Sequence, residues 1–201
     1  MILHKIGNWL GCFARIFRFA FRSISCIYSG YYTVQFKNKP NSLYLEYPAS
    51  LISGSKYITI GNNFVCRSRL RLEAIHIMSN VEPKVLIGNN VQINNNCHIG
   101  CINKIEIGDN VLIGSNVFIT DHSHGKVCKS EINTPPSLRD IYSKGPVIIK
   151  NNVWIGENVS IMPNVTIGMN SIIGANSIVT KDVPDFTLVV GNPAKVLKSF
   201  L

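Results

Sequence analysis

Ile149, Ile155, Ile161, Ile167, Ile173 and Val179 follow one another at an unbroken spacing of six. Four residues after each stands Val153, Val159, Val165, Ser171, Ser177 or Val183, all small or β-branched. A fixed internal period names an architecture before any single element is assigned. An α-helix needs apolar residues about every 3.6 positions and an isolated strand every second one, so a beat of six suits neither. It fits a parallel β-solenoid of short strands whose coils carry branched aliphatics inward. Asn152, Asn158, Asn164, Asn170 and Asn176 precede members of the second set and are expected at corners, where positive φ is tolerated.

The beat recurs earlier. Ile87, Ile93 and Ile99 are in phase, Ile107, Ile113 and Ile119 resume it after a two-residue slip placed at Ile105-Glu106, and a fainter copy begins at Ile60-Gly61-Asn62-Asn63. From Ile119 to Ile149 the repeat is absent. That stretch holds Asp121-His122-Ser123-His124-Gly125, Pro135-Pro136 and Gly145-Pro146. A long loop inside a compact repeat fold is usually functional or disordered, and two histidines at its root favour function.

With 201 residues, 46% of them hydrophobic, and no low-complexity linker, the chain reads as one structural domain with an ample core. Three stretches are expected: a basic amphipathic or capping segment over 1–50, the β-helix over 51–185 with a loop at 120–147, and a tail over 186–201. The cysteines Cys12, Cys26, Cys66, Cys97, Cys101 and Cys128 form no C-x-x-C pair. They read as reduced thiols of a cytoplasmic protein.

Charge is uneven. Residues 1–71 carry ten Lys/Arg against the single acid Glu46, so the net +9 lies before the first clear repeat. A polyanionic partner for that end follows. At 100° per residue His4, Asn8, Gly11, Arg15, Arg18 and Arg22 share one helical face, with Leu10, Phe13, Ile16, Phe17, Ala20 and Phe21 mainly on the rest. The arginines interrupt any apolar run long enough to span a bilayer, and no signal-peptide cleavage site follows. Two readings stay open: a peripheral membrane contact through residues 1–25 at the inner face of the cytoplasmic membrane, or a cap on the open end of the solenoid. Nucleic acid is not expected as a partner, because aromatic and basic residues do not interleave beyond this segment.

The strings I-G-N-N-V (87–91), I-G-D-N-V-L-I (107–113), V-W-I-G-E-N-V (153–159), I-G-A-N-S-I-V-T-K-D-V-P (173–184) and V-G-N-P-A-K (190–195) resemble the hexapeptide-repeat acyltransferases. Among these the chain is similar to the maltose/galactoside O-acetyltransferase group, and more so to bacterial O-antigen and capsule polysaccharide O-acetyltransferases, which share the D-H-x-H-G loop. The likeness covers about residues 58–200. It implies an all-β, left-handed parallel β-helix assembled as a homotrimer, with sites between subunits. It further implies transfer of acetyl from acetyl-CoA to a carbohydrate hydroxyl, with no metal.

Histidine suits the chemistry, because a hydroxyl attacking a thioester needs a base titrating near neutrality. By the resemblance His122 takes the place of the catalytic base, with His124 the second candidate and otherwise a substrate contact. Asp121 is adjacent in sequence, but neighbouring side chains on an extended strand point apart, so it need not orient the ring. Asn94 and Trp154 match substrate-side positions, each with a scaffold role as the alternative: a corner Asn and a core Trp. Where relatives carry an Asp pair this chain has Cys101-Ile102, so acceptor contacts are expected to differ. Ala175, Thr180, Lys181 and Lys198 match donor-contacting positions, and Lys195 is a weaker addition. Asn192-Pro193 reads as an N-cap and first turn of a short C-terminal helix presenting Lys195 and Lys198.

Two other classes fit the sequence less well. A γ-carbonic anhydrase-like zinc enzyme would need three His ligands, and His76, His98, His122 and His124 lack that family's spaced pair. A non-catalytic structural or ice-binding solenoid would want a threonine ladder, which Thr120, Thr166 and Thr180 do not form.

Overall fold

The computed structural model describes residues 2–49, 51–77, 81–126 and 128–201, without the side chains of residues 2–8 and Cys12. The polar-face positions of His4 and Asn8, the thiol of Cys12 and the segment boundary at Ser50 therefore lie outside the described residues.

The six-residue beat folds as the aliphatic spacing predicts. Short strands pair in parallel, each with the equivalent strand of the coil before and after, and build three sheets of eight, six and five strands. The chain visits them in fixed rotation: Gln92–Ile93 lies on the first face, His98–Cys101 on the second and Lys104–Ile107 on the third. One aliphatic column lines each face: Ile93, Ile113, Ile155 and Ile173 on the first, Leu72, Ile99, Ile119 and Ile161 on the second, Ile87, Ile107, Ile149 and Ile167 on the third. All are nearly or fully buried, and removal of this stacked apolar surface from water is the main stabilising term.

The corners carry the asparagines. Asn63, Asn90, Asn110, Asn152 and Asn170 all hold φ between 54° and 59°. Their amides link into a ladder, each Nδ2 donating to the next Oδ1 at 2.9–3.0 Å. Asn is used because it enters the left-handed region at low cost and keeps a donor and an acceptor for the coils on either side. Asn110→Ala should lose both ladder bonds and meet the left-handed penalty, for a loss of roughly 1–2 kcal/mol. A shift of the urea unfolding midpoint at unchanged slope would read it out.

Three features depart from the sequence reading. The coil begins at Leu43–Leu45, which pairs in parallel with Phe64–Cys66, so the solenoid starts before residue 51. The slip expected at Ile105-Glu106 is absent there, because Lys104–Ile107 is a regular strand in register with Lys84–Ile87. The extra residues form the bend at Ile102 and Asn103, at the corner between the second and third faces. The long loop opens at the same corner one coil later, after Phe118–Thr120, and returns at Val147–Ile149.

The third departure is the C-terminal helix, which does not form. Residues Lys195–Ser199 are a strand antiparallel to Thr187–Val190. The last coil leaves an edge with unpaired backbone groups, and the tail turns through Gly191 (φ 100°) to cover it. That gain outweighs the start signal of Asn192-Pro193, since a residue before proline is itself pushed towards extended geometry.

Helix α1 (Ile2–Gln35) is both longer and more divided than its pattern suggests. Its last third docks on the first coil: Ser25 Oγ accepts from Tyr47 N at 3.0 Å and Ser29 Oγ from Leu45 N at 2.8 Å. Tyr28, Tyr32 and Phe36 pack against the core below. Just beyond, Asn38 takes the place of another coil, with Nδ2 donating to Ile60 O and Oδ1 accepting from Ile60 N. This part is a cap, which an open solenoid end requires. The longer part before Ser25 carries exposed Trp9, Phe13, Ile16, Phe17 and Phe19. No described helix is long and apolar enough to cross a membrane.

Candidate active site

The site is built where the repeat stops. Strand Phe118–Thr120 ends, the chain bends at Asp121, and His122–His124 pairs antiparallel with Ile141–Ser143. The expectation that Asp121 and His122 point apart is overturned by this bend, since the alternation of side chains holds only while the backbone stays extended. Asp121 Oδ1 lies 3.0 Å from His122 Nδ1.

Asp121 is fully buried and fully occupied. Its carboxylate accepts from Ile102 N at 3.0 Å, from Asn103 N at 2.8 Å and from the Cys101 thiol at 3.3 Å. Burial opposes its ionisation, but the bonds from His122 and from the Ile102 and Asn103 amides outweigh that and hold the carboxyl below its usual range. The bend that displaced the repeat by two residues thus serves as the cradle. Burial first, then the Asp121 charge, pushes the Cys101 thiol far up, which keeps it an uncharged donor.

An ionised carboxylate only accepts, so His122 carries its proton on Nδ1. Thr120 Oγ1 completes the clamp: it accepts from His122 N at 3.2 Å and donates to His122 O at 3.2 Å. The Nε2 edge has no hydrogen-bond partner among the described residues and keeps its lone pair for an incoming proton.

Beside it stands a group the sequence reading did not place in the site. His98 lies on the second face one coil away from Phe118, in register with it. Its Nε2 is 3.1 Å from Glu73 Oε2, and Glu73 in turn pairs with Arg71. Burial and then the Arg71 charge lower the His98 pKa, with Glu73 acting the other way, so the ring is neutral near pH 7. Burial opposes ionisation of Glu73, but Arg71 and then His98 prevail and hold it low. The available signal was positional. His98 and His122 both border Gly100, whose absent side chain leaves the space between their rings. A Cβ there would lie 3.2 Å from His122 Cε1 and 3.4 Å from His98 Nε2. Gly100→Ala should therefore displace the His122 ring by a few tenths of an ångström and lower turnover on the order of tenfold. The thermal midpoint should stay within a few degrees of wild type.

The remaining expected site residues fall in four other places. Asn94, Trp154 and Ala175 share a cavity of about 470 Å³ at the corner between the first and second faces, and Trp154 is half exposed on the first face rather than a core residue. Thr180 lines a cavity of about 680 Å³ between the coil and the loop, with Lys126, Tyr142, Lys144 and Met162. Lys181 is exposed beside it. Lys195 and Lys198 sit on the tail strand, opposite Val190 and Leu188. His124 is exposed and pairs through its backbone with Ile141. One chain does not bring the expected donor and acceptor residues together with His122. Among the described residues no group of three metal-ligating side chains is assembled, and Thr120 is buried rather than part of an outward ladder.

Comparison with known proteins bears on the family and the fold. The family described as Bacterial transferase hexapeptide (six repeats) matches residues 146–181. The chain is 39% identical over 147 residues to the putative lipopolysaccharide biosynthesis O-acetyl transferase WbbJ of Escherichia coli K12, spanning 71% of this chain and 72% of that protein. A serine-to-cysteine mutant of AntD, an N-acyltransferase from Bacillus cereus in complex with dTDP-4-amino-4,6-dideoxyglucose and coenzyme A, superposes with a TM-score of 0.64 at 25% identity. That match covers 83% of this chain and 84% of the other. A serine-to-alanine mutant of the same protein shares the fold at a TM-score of 0.66 and 24% identity, over 83% and 85% of the two chains.

Proposed function

The chain belongs to the hexapeptide-repeat acyltransferases, and on that premise we propose that it is an O-acetyltransferase moving acetyl from acetyl-CoA to a sugar hydroxyl, with His122 as general base. The acceptor is a sugar of a bacterial surface polysaccharide or of its precursor, as the name of the Escherichia coli relative suggests. The observation that carries the reading is the buried Asp121 carboxylate on His122 Nδ1, with Nε2 free.

In the reaction, Nε2 takes the proton of the acceptor hydroxyl as its oxygen attacks the thioester carbonyl. Asp121 offsets the imidazolium charge that forms. When the tetrahedral intermediate collapses, the C–S bond breaks and His122 returns the proton to the leaving sulfur, releasing neutral thiol. No covalent acyl-enzyme is needed. Neutral His98, with Nε2 held by Glu73, forms the wall of the gap at Gly100 beside His122.

The assembly is a homotrimer of left-handed β-helices with its sites between copies. The scatter of expected residues supports this: Asn94, Trp154 and Ala175 lie on one corner of the chain and His122 on another, and a neighbouring copy closes that gap. The apolar cavity around Trp154 and Ala175 suits the pantetheine arm of the donor. Lys126, Lys144 and Lys181 near Thr180 suit its phosphates, with Lys195 and Lys198 further out. The protein works in the cytoplasm, and the exposed aromatic part of α1, with Arg15, Arg18 and Arg22, rests on the inner face of the membrane.

The test is acceptor-dependent thiol release from acetyl-CoA across a panel of hydroxyl and amino sugars. The expected result is release with a hydroxyl acceptor and an acetyl ester as product. Release only with an amino sugar would replace the reading with N-acyl transfer.

A further inference from the structure

Charge in the first 71 residues exceeds what the acetyl-transfer site uses, and the structure accounts for it unevenly. Arg71 is committed to Glu73, and Arg69 donates to Asn96 at 2.6 Å. Three other arginines converge. Arg18 and Arg22 from α1, with Arg67 from the second coil, line a cavity of about 530 Å³ where the helix leaves the solenoid. Phe21, Tyr44 and Tyr47 form its apolar walls, and Glu46 is its only acid. The Glu46 contact to Arg67 is loose, at 3.6 Å, with both side chains over a third exposed. Three arginines and one carboxylate among the lining residues leave a net positive charge in a concave, half-apolar setting, with Arg18 Nε also donating to Ala14 O at 3.3 Å. Nothing in the acetyl-transfer geometry requires it.

We propose that this cavity binds the phosphate headgroup of a membrane lipid. Guanidinium forks match phosphate oxygens bidentately, and several from two different elements fix a headgroup where one would only attract it. The lipid source follows from continuity. Phe21 belongs both to the cavity wall and to the exposed apolar run that includes Phe13, Ile16 and Phe17, so an acyl or isoprenoid chain leaves the pocket along a face already suited to hydrocarbon. The proposal rests on the membrane contact stated above and is independent of the transfer chemistry. It gives that contact a selectivity, for phosphate groups that reach into the pocket over equal charge spread on a surface.

The test uses the full chain in co-sedimentation with three sets of vesicles: phosphatidylcholine alone, phosphatidylcholine with phosphatidylglycerol, and phosphatidylcholine with phosphatidic acid, the anionic sets matched in charge. Binding should favour the exposed phosphate monoester. Arg22→Gln and Arg67→Gln should each lower that binding by more than the roughly fivefold that one basic residue contributes at an anionic surface. Arg15→Gln removes the same charge from α1 outside the pocket and should cost less. Arg22→Lys keeps the charge without the fork and should fall in between. Equal losses for Arg15→Gln and Arg22→Gln, with none for Arg67→Gln, would overturn the pocket in favour of a diffuse charged film. Tight binding of inorganic pyrophosphate with no vesicle preference would overturn the lipid source. Thiol release with a soluble sugar, measured on the same variants, should match wild type. Absence of transfer in every variant and in wild type would count against the enzyme reading and leave the pocket standing.

Discussion

His122→Ala is expected to lower turnover by roughly 10²–10⁴-fold, the usual contribution of a positioned general base, while acetyl-CoA still binds. The ring is 16% exposed and stands at the solenoid surface, so its removal leaves the aliphatic columns intact and the unfolding midpoint close to wild type. The loss should fall on kcat, because the base acts on the hydroxyl proton in the transition state and contributes little to holding either substrate. Calorimetric titration with coenzyme A beside a steady-state assay separates the two effects. Loss of donor binding with His122→Ala, or a rate within a few-fold of wild type, would remove it from the role of base.

Asp121→Asn should be nearly as costly to turnover and also costly to stability. An amide NH₂ cannot accept from His122 Nδ1, so the ring is pushed to the tautomer that places its proton on Nε2. Turnover should then fall by on the order of 10²–10⁴, as expected when a general base is held in the wrong protonation state. Standing in the place of Oδ1, the same NH₂ would confront the Ile102 N–H, which now donates there at 3.0 Å, at a cost of about 1–3 kcal/mol. The pH dependence carries a definite sign. Asp121 titrates below its ordinary 3.8 in the folded protein, so its contribution is fully present above that pH. It is lost as pH falls from 3.8 towards the depressed folded value, where the unfolded chain binds the extra proton. Acid unfolding of Asp121→Asn should accordingly be shallower than wild type. Glu73 keeps part of the slope, since it too is held low against its burial by Arg71 and His98.

The readable and unreadable parts of the sequence divide along physical lines. The columns through Ile93, Ile119 and Ile149 were legible because a parallel coil repeats one environment, and each environment selects one kind of residue. The asparagine corners were legible for the same reason. His122 stood out because it interrupts that order. Its clamp did not, since whether Asp121 turns inward depends on a bend that local sequence leaves open, and on two amides of a neighbouring coil. The extra residues at Ile102 and Asn103 were misplaced by a few positions. A period records that residues were added without recording which corner absorbs them. The tail reads locally as a helix start at Asn192-Pro193, but an exposed sheet edge, which only the assembled coil creates, drew Lys195–Ser199 into a strand. His98 and Glu73 lie about a coil apart in sequence and meet only through stacking.

The most direct measurement is a single-turnover acetyl transfer, with enzyme preloaded with acetyl-CoA, mixed with a hydroxyl sugar and followed by mass spectrometry of protein and sugar. With His122 as base, acetyl should pass straight to the sugar as an ester in wild type, with no acetylated protein at any time and almost no product from donor-loaded His122→Ala. An acetyl group accumulating on the protein before the sugar is labelled, or full transfer by His122→Ala, would contradict this mechanism.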